Sequence, residues 1–175
     1  MRNLDKYKGV IPAFYACYDE KGEISTEGVK ALTCHLISKG VKGVYVGGSS
    51  GECIYQHVDE RKKVLEAVME EAKGKLTVIV HVGCNNTADS VELAAHAQSV
   101  GADAIASIPP IYFHLPEYAI AEYWNAMSAA AFCYLQYSAA CRNGIIHEPV
   151  KRNAEESECD RSEELFHADT GHPDV

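Results

Sequence analysis

The sequence predicts an α/β fold in which βα units build a parallel sheet, and three observations carry that prediction. Short β-branched runs alternate with amphipathic stretches, which is how strands and covering helices alternate in a parallel sheet. The alternation repeats about every 30 residues, the length of one strand, one helix and two turns. It runs for four units and stops at Phe132.

The first unit opens with a predicted strand from Val10 to Tyr18 and a turn at Asp19-Glu20-Lys21-Gly22. A helix follows with Ser25 as its N-cap, since a serine hydroxyl can accept from an unpaired N–H of the first turn. Val29, Leu32, Leu36 and Ile37 fall on one face of it, and Gly40 closes it. The second strand, Gly43 to Val46, runs into Gly47-Gly48-Ser49-Ser50-Gly51-Glu52. A helix from Asp59 to Lys73 then turns Val64, Leu65 and Val68 inward and stops at Gly74. The third strand, Leu76 to Val82, precedes a helix from Thr87 to Val100. Asn85-Asn86-Thr87 reads there as a helix cap at Thr87 rather than a glycosylation site. The fourth strand, Ala104 to Ile108, leads through Pro109-Pro110 to a helix from Pro116 to Ala130.

From Phe132 to Val175 the sequence offers no strand and no sustained helical period. A dense charge run lies at Lys151-Arg152-Asn153-Ala154-Glu155-Glu156-Ser157-Glu158. That composition predicts an irregular, disordered tail. Across all 175 residues the content is 47% hydrophobic and 23% charged, enough for one globular core. The net charge of -9 argues against nucleic acid or an anionic membrane as a partner, because both select surplus Lys and Arg. No run approaches the roughly 18 apolar residues of a spanning helix. The start, Met1 to Lys6, lacks a signal peptide's apolar core, so a cytoplasmic location is expected. Seven cysteines at irregular spacing, several inside apolar segments, give no disulfide framework. Cys133, Cys141, His147, Cys159, His167 and His172 contain no C-x2-C or H-x3-H pair, so no metal is expected.

The chemistry concentrates in the second strand-to-helix loop. Glycines let backbone approach a ligand closely, and hydroxyls with N–H groups near a helix start supply hydrogen bonds to an anion. A tight turn alone asks for the same glycines. The string Gly43-Val44-Tyr45-Val46-Gly47-Gly48-Ser49-Ser50-Gly51-Glu52, with Glu60-Arg61 on the next helix, closely resembles that loop in the N-acetylneuraminate lyase and dihydrodipicolinate synthase superfamily. Gly48-Ser49 favours the sialic acid lyase branch. His81-Val82-Gly83-Cys84 and Pro109-Pro110-Ile111-Tyr112 resemble the same branch, and the likeness runs from Lys8 to Ala131. Ser50 stands where threonine is usual and keeps the hydroxyl. Ala16-Cys17 replaces a common Thr-Pro and weakens any reading of that loop.

The resemblance implies a (β/α)8 TIM barrel whose sixth strand carries a lysine that forms a Schiff base with pyruvate. Residues 1–131 would be its first four βα units, an incomplete Schiff-base aldolase domain, and residues 132–175 a separate tail. The implied activity is cleavage of N-acetylneuraminate to N-acetylmannosamine and pyruvate, with no metal or organic cofactor. Dihydrodipicolinate synthase or another 2-keto acid aldolase is the alternative, and a non-catalytic fragment is a third reading. By the same resemblance Gly48, Ser49 and Ser50 bind the pyruvyl carboxylate, and Tyr112 joins a proton relay at a neighbouring subunit of a homotetramer. Tyr112 beside prolines also suits a packed loop residue, and His81 in an apolar strand suits a satisfied core histidine.

A closed barrel of this kind needs about 250 residues. The family's Tyr-Asn-Ile-Pro strand end does not occur in the sequence, and the two Gly-Val-Lys runs, at 28–30 and 40–42, fall in the first helix and ahead of the second strand, not in a later strand of the barrel. Read one nucleotide later, with permitted synonymous codons, residues 132–175 can spell a strand, helix and strand with both motifs. The tyrosine then falls in the slot of Leu135 and the lysine in the slot of Glu163. The expectation is a one-nucleotide frameshift, which leaves this chain without its catalytic lysine and inactive.

Overall fold

A computed structural model describes residues 5–131 and the backbone of one further strand at 134–137. Its sheet has four parallel strands in sequence order: β1 (Gly43–Val46), β2 (Thr77–His81), β3 (Ala104–Ser107) and β4 (Tyr134–Tyr137). Helices α1 (Thr26–Ser38), α2 (Val58–Ala72), α3 (Thr87–Val100) and α4 (Glu117–Ala130) lead into these strands in turn. Parallel neighbours need such crossovers, because a tight hairpin reverses the chain. Every residue of β2 and β3 is buried, as in a sheet covered on both faces.

Side-chain alternation divides the core. Val78 and Val80 face the helices with Val44, Val46 and Ile105, where they meet Val64, Leu65 and Val68 of α2. Ile79, Ala104 and Ala106 point the other way and are covered by Tyr7, Ile11 and Tyr45. The N-terminal segment is tied to the strand starts by Tyr7 Oη donating to the Asp103 carbonyl at 2.9 Å and Thr77 Oγ1 donating to the Lys6 carbonyl at 2.8 Å.

The helix caps follow the sequence closely. Ser25 accepts from the Gly28 amide at 3.1 Å, and Val29 inside α1 is fully buried. Asn86, one residue before the expected Thr87, caps α3 by accepting from the Ala88 amide at 2.8 Å. A carboxamide oxygen can reach that N–H from the non-helical position, and Thr87 is already helical.

Two segments depart from expectation. The predicted first strand forms only a single parallel bridge, Ala13 to Tyr45, with Tyr45 N donating to Pro12 O and Phe14 N to Tyr45 O. Pro12 has no N–H to extend the ladder. Its far end turns away into an antiparallel bridge between Tyr18 and Ile24. The predicted absence of any strand after Phe132 is also corrected: Tyr134–Tyr137 pairs with all four residues of β3. Tyr-Leu-Gln-Tyr contains two strand-favouring aromatics, and the unpaired edge of β3 offers it a ladder. The rest of the predicted tail, with its charge run and its cysteines and histidines, lies outside the described residues.

Candidate functional site at the strand ends

The loops after β1, β2 and β3 gather at the C-terminal ends of the strands, the end where parallel α/β sheets place their sites. After β1, Gly47 takes φ +69° and Gly48 opens a 3₁₀ turn over Ser49–Gly51. The Gly51 and Glu52 amides donate to Gly48 O and Ser49 O, each at 3.0 Å. Glycine at 48 is required by close approach: a Cβ there would lie 2.7 Å from Cε1 of Tyr45. Glu52 ends the turn at φ 58°, the one described non-glycine residue in left-handed backbone. Gln56 Nε2 donates both to the Gly51 carbonyl and to Tyr18 Oη at 3.1 Å, fixing the loop from below.

Ser49 and Ser50 are exposed, and among the described residues neither hydroxyl has a hydrogen-bond partner. Both are therefore available to a ligand. Tyr112 stands apart from them on the loop after β3. It is 80% exposed and packs edge-on against Phe113 at 4.8 Å between ring centroids.

Behind the serine loop lies a buried polar cluster that its sequence gives little reason to expect. Arg61, in the first turns of α2, is only 6% exposed. Its Nη2 donates to the His81 carbonyl at 2.6 Å, and its Nη1 to the Gly83 carbonyl and the Cys84 thiol at 3.0 Å. His81 is buried at the end of β2, and burial, reinforced by the Arg61 charge, holds its imidazole pKa down at about 4. It is thus a neutral core histidine, its ring tilted against that of Tyr45 with 6.4 Å between centroids. Tyr123 of α4 forms a second hub. Its hydroxyl donates to the Cys84 carbonyl at 3.0 Å, accepts from the Cys84 amide at 3.1 Å and lies 2.9 Å from Ser90 Oγ.

A cleft of about 230 Å³ opens between the three loops, lined by residues including Cys53, Arg61, His81, Asn85 and Pro110. Ile111 N donates to Asn85 Oδ1 at 3.0 Å, joining two of its walls. Ser49, Ser50 and Tyr112 do not line it. Among the described residues no group of three His, Cys, Asp or Glu side chains is placed to hold a metal ion. Nor is any helix long and apolar enough to cross a membrane.

A glycine-bounded turn thus presents two exposed hydroxyls at the C-terminal end of a parallel sheet. The sequence profile of the Dihydrodipicolinate synthetase family matches residues 6–146. The chain belongs to that family. Within it, the N-acetylneuraminate lyase of Mediterraneibacter gnavus is 75% identical over 131 residues, covering 75% of this chain and 42% of the relative. The structure of a catalytic lysine mutant of the Ruminococcus gnavus sialic acid aldolase superposes with a TM-score of 0.77 at 71% identity. The overlap covers 78% of this chain and 45% of that one. An Escherichia coli K12 prophage protein of the dihydrodipicolinic acid synthase family, solved in complex with pyruvate, gives a TM-score of 0.71 at 27% identity. It matches over 75% of this chain and 44% of its own. The chain thus spans less than half the length of these relatives. The family match runs past Ala131 and includes β4.

Proposed function

We propose that this chain is the N-terminal, carboxylate-binding half of an N-acetylneuraminate lyase. The observation that carries the reading is the Gly47–Glu52 turn with its two unpartnered hydroxyls, in a chain 75% identical to an N-acetylneuraminate lyase over 131 residues. In the parent reaction a lysine amine condenses with the ketone of the 2-keto acid, and the resulting iminium draws electrons from the breaking carbon–carbon bond. Here Ser49 and Ser50 donate hydrogen bonds to the carboxylate, and Gly48 brings backbone close to it. Tyr112 retains the relay role implied by family likeness. Its exposure leaves it free to meet a second subunit.

The Schiff-base step is missing from this polypeptide. Among the described residues no lysine lines the cleft at the strand ends, and Lys39, Lys62, Lys63 and Lys73 lie on helices or at their ends. A one-nucleotide frameshift beginning near Phe132 accounts for the loss of both motif strands. The reading therefore expects binding without turnover. Titration of the 15N-labelled chain with pyruvate should shift the Gly48–Gly51 amides, and Ser49→Ala with Ser50→Ala should abolish the shifts. Borohydride with pyruvate should leave the protein mass unchanged. A stable lysine adduct would overturn the account of lost chemistry, and unshifted loop amides in the parent chain would overturn the carboxylate site. DNA sequencing through codons 129–132 tests the frameshift: a shifted frame that encodes neither motif strand rules it out.

A further inference from the structure

Arg61 is a buried cation whose recorded partners are all neutral: two backbone carbonyls, one thiol and the edge of the His81 ring, with Nη2 3.5 Å from His81 Nδ1. Among the described residues its Nε has no hydrogen-bond partner. Burying a guanidinium without a carboxylate is unfavourable, and a core that needed only packing would be served by an apolar side chain. What the cation does achieve is geometric. α2 begins just after the serine loop, and the Arg61 fork ties its first turns to His81, Gly83 and Cys84 at and just beyond the end of β2. His81, at the same strand end, meets the guanidinium with both its carbonyl and its ring Nδ1. Gly47 itself sits against this pair: a Cβ there would meet His81 O at 3.3 Å and Arg61 Nη2 at 3.9 Å.

We propose that Arg61 and His81 are positioning residues for the Gly47–Ser50 loop, holding it from both ends so that the Ser49 and Ser50 hydroxyls converge on a substrate carboxylate. Arg61 fixes the helix end of the loop against β2, and His81 fixes the strand end. The inference rests on the carboxylate-binding reading of that loop, and its test separates the two.

The full chain is compared with Arg61→Met, Arg61→Lys and His81→Asn by amide hydrogen exchange and by pyruvate titration followed by NMR. Arg61→Met should speed exchange at the Gly51, Glu52 and Cys53 amides and weaken pyruvate binding about tenfold, because small misplacements of a binding group are costly. Exchange within α3 should stay as in the parent. Arg61→Lys keeps the charge and one donor direction, and should recover most of the loss. A merely structural staple predicts faster exchange throughout the sheet and no rescue by lysine, and either result overturns the proposal. Unchanged loop exchange in folded Arg61→Met overturns it too. Should Arg61→Met not fold, His81→Asn decides, with loop exchange accelerated as the supporting result and loop exchange at the parent rate as the opposing one. If the parent chain fails to bind pyruvate, the carboxylate reading falls, and the exchange comparison still judges the clamp.

Discussion

The neutral state of His81 has a direct consequence for stability. Its pKa is depressed from an ordinary 6.5 to about 4, because burial disfavours the imidazolium and the Arg61 charge opposes it. In the unfolded chain the ring takes up a proton as pH falls through 6.5, and in the folded chain it waits until about 4. Between those limits the unfolded state binds more protons, so stability is greatest above pH 6.5 and declines toward pH 4. A shift of this size corresponds to about 3 kcal/mol at full extent. Urea unfolding at a series of pH values should show this decline in the parent and a shallower one in His81→Asn. Equal slopes would refute the assignment. His81 was legible in the sequence as a core histidine, because the strand around it is apolar. Its partner was not. An arginine four residues into a charged helix start, Asp59-Glu60-Arg61, has the pattern of a solvated face. Only the packing of α2 on the end of β2 turns it inward. The Gly47–Glu52 turn was legible for the opposite reason, since the glycines and serines that form it are contiguous in sequence.

The same division holds for whole elements. The four helices follow their expected ranges to within a residue or so because cap and period are local properties: Ser25, Gly40 and Gly74 mark ends that depend on nothing distant. Ser25→Ala and Asn86→Ala should each lower unfolding stability by about 1 kcal/mol, the usual worth of an N-cap hydrogen bond. The loss should appear in denaturant midpoints at constant slope. If Asn86→Ala costs nothing while Thr87→Ala does, the cap belongs at Thr87 after all. Strands were less legible, because a strand exists only through its neighbour. The run from Val10 to Tyr18 has strand composition, yet Pro12 and the turn toward Ile24 reduce it to one bridge. Conversely Tyr134–Tyr137 lies in a stretch without any alternating pattern, and pairs because β3 presents an open edge. Its position coincides with the strand that the shifted reading frame would supply. The slot is therefore set by the sheet as much as by the residues that fill it.

At the scale of the molecule, a four-stranded parallel sheet with helices on one face needs something to cover the other. In a closed barrel that face packs against side chains from the opposite wall. Here Ile79, Ala104 and Ala106 are instead buried beneath Tyr7, Ile11 and Tyr45. The N-terminal segment acts as a plug, anchored by the Tyr7 hydroxyl on Asp103 O, by the Lys6–Asp103 ion pair at 3.1 Å and by Thr77 on Lys6 O. The ion pair is half exposed and contributes little. The ring of Tyr7 supplies the apolar cover, and its hydroxyl satisfies a carbonyl at the bottom of β3. Tyr7→Ala should therefore cost about 2 kcal/mol from lost burial and the lost hydrogen bond. Tyr7→Phe, which keeps the ring, should cost only about 1 kcal/mol. The sheet's inner face should become accessible in Tyr7→Ala, read as increased binding of an apolar fluorescent dye under native conditions. An alanine variant with the parent's midpoint and dye binding would mean that this face is covered by something other than the N-terminal segment.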